Sequence, residues 1–80
     1  MLDELKKGRR VVGAKQTKRA LGDGSAQRIY LAMDADPRVV GPVEAMAQER
    51  GVAVERVEHM KELGSACGIA VGAAVAALLH

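Results

Sequence analysis

The chain has almost no aromatic residues: one tyrosine, Tyr30, with no phenylalanine and no tryptophan in 80 residues. Proteins that hold single-stranded nucleic acid usually stack bases on aromatic platforms, each stack worth roughly 1–3 kcal/mol. This sequence cannot build such a platform. It also has a single cysteine, Cys67, which excludes an internal disulfide and any cysteine-based zinc site and fits a reducing cytoplasm. The N-terminus is charged from Asp3 onward with no apolar stretch behind it, so no secretory signal is expected. The apolar tail, residues 69–79, is far shorter than the ~20 residues that span a bilayer, and no membrane association is expected.

What remains is one small domain covering residues 1–80, with an aliphatic core drawn from an apolar fraction of 49%. A chain of this size buries only about 60% of its unfolded surface, so packing must be efficient. The net charge is +2, but it is unevenly spread. Residues 1–19 hold seven basic groups against two acidic, a net +5, and the rest hold five basic against eight acidic, a net −3. A basic end on an acidic body points to an anionic partner held at one edge.

Local patterns predict alternating elements. Leu2 to Lys7 suits a short helix and Val11–Val12 a short strand. A helix is expected from Ala14 to Leu21, stopped by Gly22. Arg28 to Met33 reads as a buried strand. Asp34 and Asp36 suit the turn that follows it, more than a metal pair. Gly41 and Pro42 suggest the start of a helix with Pro at its first position and Val43, Met46 and Ala47 facing inward until Gly51. Val52, Val54 and Val57 mark a third strand, and Met60 to Ala66 a short helix ended at Gly68. The alanine-rich tail, Ala70 to Leu79, is helical by propensity, but its place in the alternation favours a central strand. The pattern predicts an α/β fold: a small mixed sheet with helices on both faces.

The helix that opens at Gly13 breaks two local rules. Lys15 faces Lys18 and Arg19 at helical spacing, and such like-charge pairs cost a few tenths of a kcal/mol each, roughly. Cations in a first turn oppose the helix dipole by about 0.3–1 kcal/mol each. Violations of this kind concentrate at functional sites. The side chains suit nucleic acid: Lys and Arg donate to guanine or phosphate, and Gln16 both donates to and accepts from adenine. Gly13 permits close backbone approach. The neighbouring Arg9–Arg10 pair offers further phosphate contacts.

Three segments together resemble a known family: Gly13-Ala-Lys15-Gln16-Thr17-Lys18-Arg19, Asp34-Ala-Asp36-Pro37, and Lys61-Glu-Leu63-Gly64-Ser-Ala-Cys-Gly68-Ile69. They are similar, in order and over nearly the whole chain, to the kink-turn-binding ribosomal protein superfamily of the archaeal L-seven-Ae type, and most to its short bacterial YbxF-like branch. The resemblance implies a three-layer α/β/α sandwich with a four-stranded mixed sheet and a strand for the tail. It implies binding of kink-turns, sharply bent RNA helices with tandem sheared G·A pairs and a flipped-out nucleotide, in ribosomal or regulatory RNA. By position it implies an RNA-binding segment of Gly13, Lys15, Gln16, Thr17, Lys18 and Arg19, in which Lys15, Gln16 and Arg19 meet the G·A region and Lys18 touches phosphate. It assigns the loop of Glu58, His59, Met60 and Lys61 to the extruded nucleotide. Lys15, Gln16 and Arg19 stand where the family usually has Asn, Glu and Lys.

Other readings are weaker. A protein-interaction module would use acidic body residues such as Glu44 and Glu49. An enzyme needs a nucleophile, a base and an oxyanion site, and His59 has no such company. No catalytic residue, cofactor or metal ligand is expected, and nothing in the sequence demands more than a monomer.

Overall fold

The structure is a computed structural model that describes residues 2–80. Its elements run α1 (Leu2–Lys7), β1 (Arg10–Val12), α2 (Ala14–Asp23), β2 (Ala26–Ala32), α3 (Pro37–Glu49), β3 (Ala53–Val57), α4 (Met60–Ala66) and β4 (Val75–Leu79). The four strands form one mixed sheet in the order β1-β4-β2-β3. β4 is antiparallel to both β1 and β2, while β2 and β3 run parallel.

Alternation along the central strands creates two half-cores. Tyr30, Ala32, Ala76 and Leu78 face α1 and α4, with Leu5 and Leu63 beneath them. Ile29, Leu31, Val75 and Ala77 face α2 and α3, with Leu21 and Val43. The result is the α/β/α sandwich. The tail is therefore a central strand in spite of its alanines: small side chains suit a strand pressed by helices on both faces. Val54 belongs to the α2–α3 side and Val57 to the other, as strand periodicity requires. Tyr30 is completely buried and offers no base-stacking surface.

Four boundaries differ from the sequence expectations. α2 continues through Gly22 to Asp23, and its left-handed stop is Gly24 (φ 79°), whose N–H closes onto the Ala20 carbonyl. β2 begins earlier, at Ala26, across a register irregularity between Ala26 and Arg28, and ends at Ala32. α3 starts one turn before Gly41–Pro42. Asp36 is its N-cap, accepting the Arg38 N–H at 2.9 Å, and Pro37 takes the first-turn position that had been expected of Pro42. Pro42 instead lies inside the helix; its missing N–H leaves the Arg38 carbonyl without the usual partner. Finally, β4 starts at Val75, because the chain before it turns onto α4: the Ala73 N–H donates to the Met60 carbonyl at 3.0 Å.

The Asp36 cap carries a pH signature. The Arg38 guanidinium, followed by the Arg38 backbone N–H, holds the Asp36 carboxyl below the usual carboxylate range. A depressed folded-state pKa gives stability that is present above the unfolded value, about 3.9, and lost as pH falls through the folded one. Asp36→Ala should therefore melt at lower temperature than the parent at pH 7. That gap should close as the pH is taken well below 4. Thermal unfolding of both proteins across this range checks it, and an unchanged gap in acid would show that the carboxylate is not the stabilising group.

Candidate nucleic-acid interface

The strand directions gather several loops at one end of the sheet. β2 and β3 finish there, β4 begins there, and β1 finishes beside it, since Val12 pairs with Ala76. The first turns of α2, α3 and α4 therefore lie at this same end. Gly13 is the pivot into α2. Its φ of 98° is open to glycine and strained for any other residue. Its N–H donates to the Val75 carbonyl at 3.0 Å, which fixes the start of α2 against the start of β4. Having no side chain, Gly13 cannot cap the first N–H groups of α2.

Lys15, Gln16, Lys18 and Arg19 are all exposed on α2. The basic cluster thus forms one continuous surface at the helix start and along its flank. Thr17 does not share it. It is completely buried, so its side chain packs α2 against the sheet and cannot take part in a surface contact. Arg10 is also withdrawn. Its Nε donates to the Cys67 carbonyl at 3.1 Å and its guanidinium to the Lys6 and Gly8 carbonyls at 3.3 Å each. It staples the end of α1 to the end of α4 and is half-buried, whereas Arg9 is exposed.

The second segment, residues 58–61, lies at the same end. Glu58, His59 and Lys61 are exposed and Met60 is half-buried. Asp34 holds this segment: its Oδ1 accepts the Met60 N–H at 2.8 Å, and its Oδ2 lies 3.5 Å from His59 Nδ1. Asp34 thus caps α4 from a distance and leaves the α3 start to Asp36. The two ring nitrogens of His59 lie 3.5 and 3.9 Å from the carboxylates of Asp34 and Glu58.

The sequence reading missed a third segment. The loop of residues 69–72 stands out from the same end, with Val71 71% exposed and Ile69 36% exposed. Two glycines let it lie tight on α4: Gly72 against Met60, and Gly64 beneath the Val71 carbonyl. Met33, 60% exposed after β2, adds another apolar side chain there. These residues went unnoticed because their apolar character was credited to a buried strand. Two large hydrophobics flanking Ala70 between Gly68 and Gly72 were the available signal.

No group of three or more His, Cys, Asp or Glu side chains gathers as a metal site among the described residues. No described helix is long and apolar enough to cross a membrane.

The chain is thus a small α/β/α sandwich whose helix starts and loops converge at one sheet end, where exposed cations stand beside apolar loop residues. The family model of the ribosomal protein L7Ae/L30e/S12e/Gadd45 family matches residues 2–80, and the chain belongs to that family. It is 48% identical over 76 residues to the RNA-binding protein YbxF of Geobacillus stearothermophilus, covering 95% of this chain and 93% of that one. It is 37% identical over 68 residues to the large ribosomal subunit protein eL8 of Halobacterium salinarum, covering 84% of this chain and 57% of that one. Among solved structures, the Giardia lamblia 15.5kD RNA binding protein superposes with a TM-score of 0.92 at 26% identity, covering 99% of this chain and 70% of that one.

Proposed function

We propose that this protein is a non-catalytic RNA-binding protein of the cytoplasm that recognises kink-turns in ribosomal or regulatory RNA, acting as a monomer. The observation that carries the reading is the exposure of Lys15, Gln16 and Arg19 on one end of α2, beside a loop that presents Ile69 and Val71. Regular A-form RNA hides its base edges in a deep, narrow groove. A sharp bend with sheared G·A pairs opens that groove to a helix end. Gln16 and Arg19 then reach base edges, while Lys15 and Lys18 add charge for phosphate. The extruded nucleotide rests between residues 58–61 and the 69–72 loop, against apolar surface and not an aromatic ring. The names of the relatives above, RNA-binding and ribosomal proteins, support the same reading.

The rival use of the acidic body as a protein-docking face is weakened by pairing: Glu44 already meets Arg56 in an ion pair. The deciding experiment is a gel-shift titration of a kink-turn against the same helix with its G·A pairs replaced by Watson–Crick pairs. The kink-turn should bind on the order of 10- to 100-fold tighter, as expected for one or two lost base contacts. Equal affinities would leave a general RNA binder and remove the kink-turn.

A further inference from the structure

The chain has seven arginines. Five are engaged within it: Arg10 with backbone carbonyls, Arg28 with Glu4, Arg38 with Asp36, Arg50 with the Gly22 carbonyl and Arg56 with Glu44. Arg9 and Arg19 have no side-chain hydrogen bond or ion pair among the described residues. Both line the same cleft, of about 310 Å³, between α2 and the edge strand β1. Its floor is apolar, from Val11, Ala20 and Leu79, and Gln16, Ser25 and His80 complete its walls.

One carboxylate side chain, Asp23, lies in the cleft, but it is occupied. It accepts the Ser25 hydroxyl at 2.6 Å and the Ser25 N–H at 2.9 Å. These bonds hold its carboxyl below the usual range, with Arg19 adding a smaller pull. Two guanidinium groups thus face one cleft whose one carboxylate side chain is already satisfied. Guanidinium forks match the paired oxygens of a phosphate. The volume lies near the lower end of those that hold small ligands, roughly 300–1,000 Å³, enough for a phosphate with its sugar. Gln16 and Arg19 belong both to this cleft and to the α2 surface described above, so a strand leaving that surface along the helix flank passes directly over it.

We propose that this cleft seats one phosphodiester group of the RNA backbone, bound by Arg9, with Arg19 adding its positive charge from the cleft wall. The proposal rests on the RNA-binding reading and extends it. Arg9 becomes an anchor that is indifferent to sequence, and the footprint runs from the start of α2 down to the β1 edge.

The test compares the parent, Arg9→Gln and Arg9→Lys by fluorescence anisotropy over a range of salt. The RNAs are a kink-turn, its Watson–Crick control, and the kink-turn with single methylphosphonates stepped along each strand. Arg9 is exposed and unbonded, so both variants should fold; circular dichroism confirms it. Arg9→Gln should bind roughly tenfold more weakly at low salt and lower the log–log salt slope by about 1. Arg9→Lys should keep most of the slope. One methylphosphonate position should weaken the parent but not Arg9→Gln. An Arg9→Gln protein with parental affinity and slope overturns the proposal. So do methylphosphonate effects of equal size in both proteins. In a parallel titration with inorganic phosphate followed by amide NMR, saturable shifts at Ser25 and His80 that vanish in Arg9→Gln would make this a free-anion site and overturn the backbone assignment. A parent that binds both RNAs equally, with Arg9→Gln still lowering the slope, retains the cleft and rejects the kink-turn reading.

Discussion

Replacing Arg19 with alanine is expected to weaken binding to kink-turn RNA by about 1–3 kcal/mol, the range for an arginine reaching a base edge, and to leave folding intact. The side chain is exposed on α2 and makes no bond that the fold needs. Its neighbours give it little reason to be there on structural grounds. Lys15 lies four residues earlier on the same helix and Lys18 is adjacent, so the repulsion relieved by removing Arg19 offsets its weak attraction to Asp23, and the melting temperature should stay close to the parent's. Arg19→Lys separates charge from shape. A point charge retains attraction to phosphate but lacks the planar fork that pairs with guanine or grips two oxygens. It should therefore fall between the parent and alanine, and its deficit should be larger for the kink-turn than for the Watson–Crick control. Anisotropy titrations with both RNAs, alongside thermal melts, read all of these outcomes. Parental affinity in Arg19→Ala would remove this residue from the interface.

The second large effect is on stability. Exchanging glycine for alanine inside a helix normally stabilises by about 1 kcal/mol. Gly64→Ala should have the opposite sign. Gly64 is buried in α4, and a β-carbon there would collide with the Val71 carbonyl and lie 3.1 Å from the Gly72 α-carbon. Both obstacles are backbone, so neither can turn aside as a long side chain would. Overpacking of this kind costs about 1–3 kcal/mol or more, and in a domain this small each kcal/mol lowers Tm by roughly 4–8 °C. Relief requires the loop of residues 69–72 to lift away from α4. The variant should thus lose RNA affinity as well as stability, although Gly64 itself reaches no solvent. Thermal unfolding and RNA titration of the same preparation check both. A Gly64→Ala protein as stable as the parent would show that the loop does not lie so tightly on the helix.

The sequence disclosed the architecture more fully than the edges of its elements. The continuous apolar run in Arg28–Met33 and the valines of Val52–Val57 located two strands, and the alternation of elements placed the alanine-rich tail in the sheet. Propensity alone would have made that tail a helix, since nothing local announces helices packing from both sides. The start of α3 was misplaced because Gly41–Pro42 is a strong helix-opening signal in isolation. The Asp36–Pro37 cap, equally visible, won because it adds a side-chain hydrogen bond and another turn of helix. Gly22 was mistaken for a stop in the same way, with Gly24 two residues further on. For the interface, the charge pattern of Lys15, Gln16, Lys18 and Arg19 carried through to a shared surface. Burial of Thr17 and withdrawal of Arg10 did not show in the sequence, because each depends on which side of its element meets the rest of the fold. The 69–72 loop was hidden by its own hydrophobicity.

Met60 ties the candidate interface together. Its N–H is held by Asp34 and its carbonyl accepts from Ala73, so the turns after β2, before α4 and before β4 converge on one residue. Such a surface is already shaped before any partner arrives, and little of its conformational freedom is left to lose. For an RNA ligand, the work of adapting then falls chiefly on the nucleic acid, which must adopt the bend itself. Divalent ions at low concentration, by favouring the folded RNA, would strengthen the complex up to the point where they compete with Lys and Arg for the same phosphates.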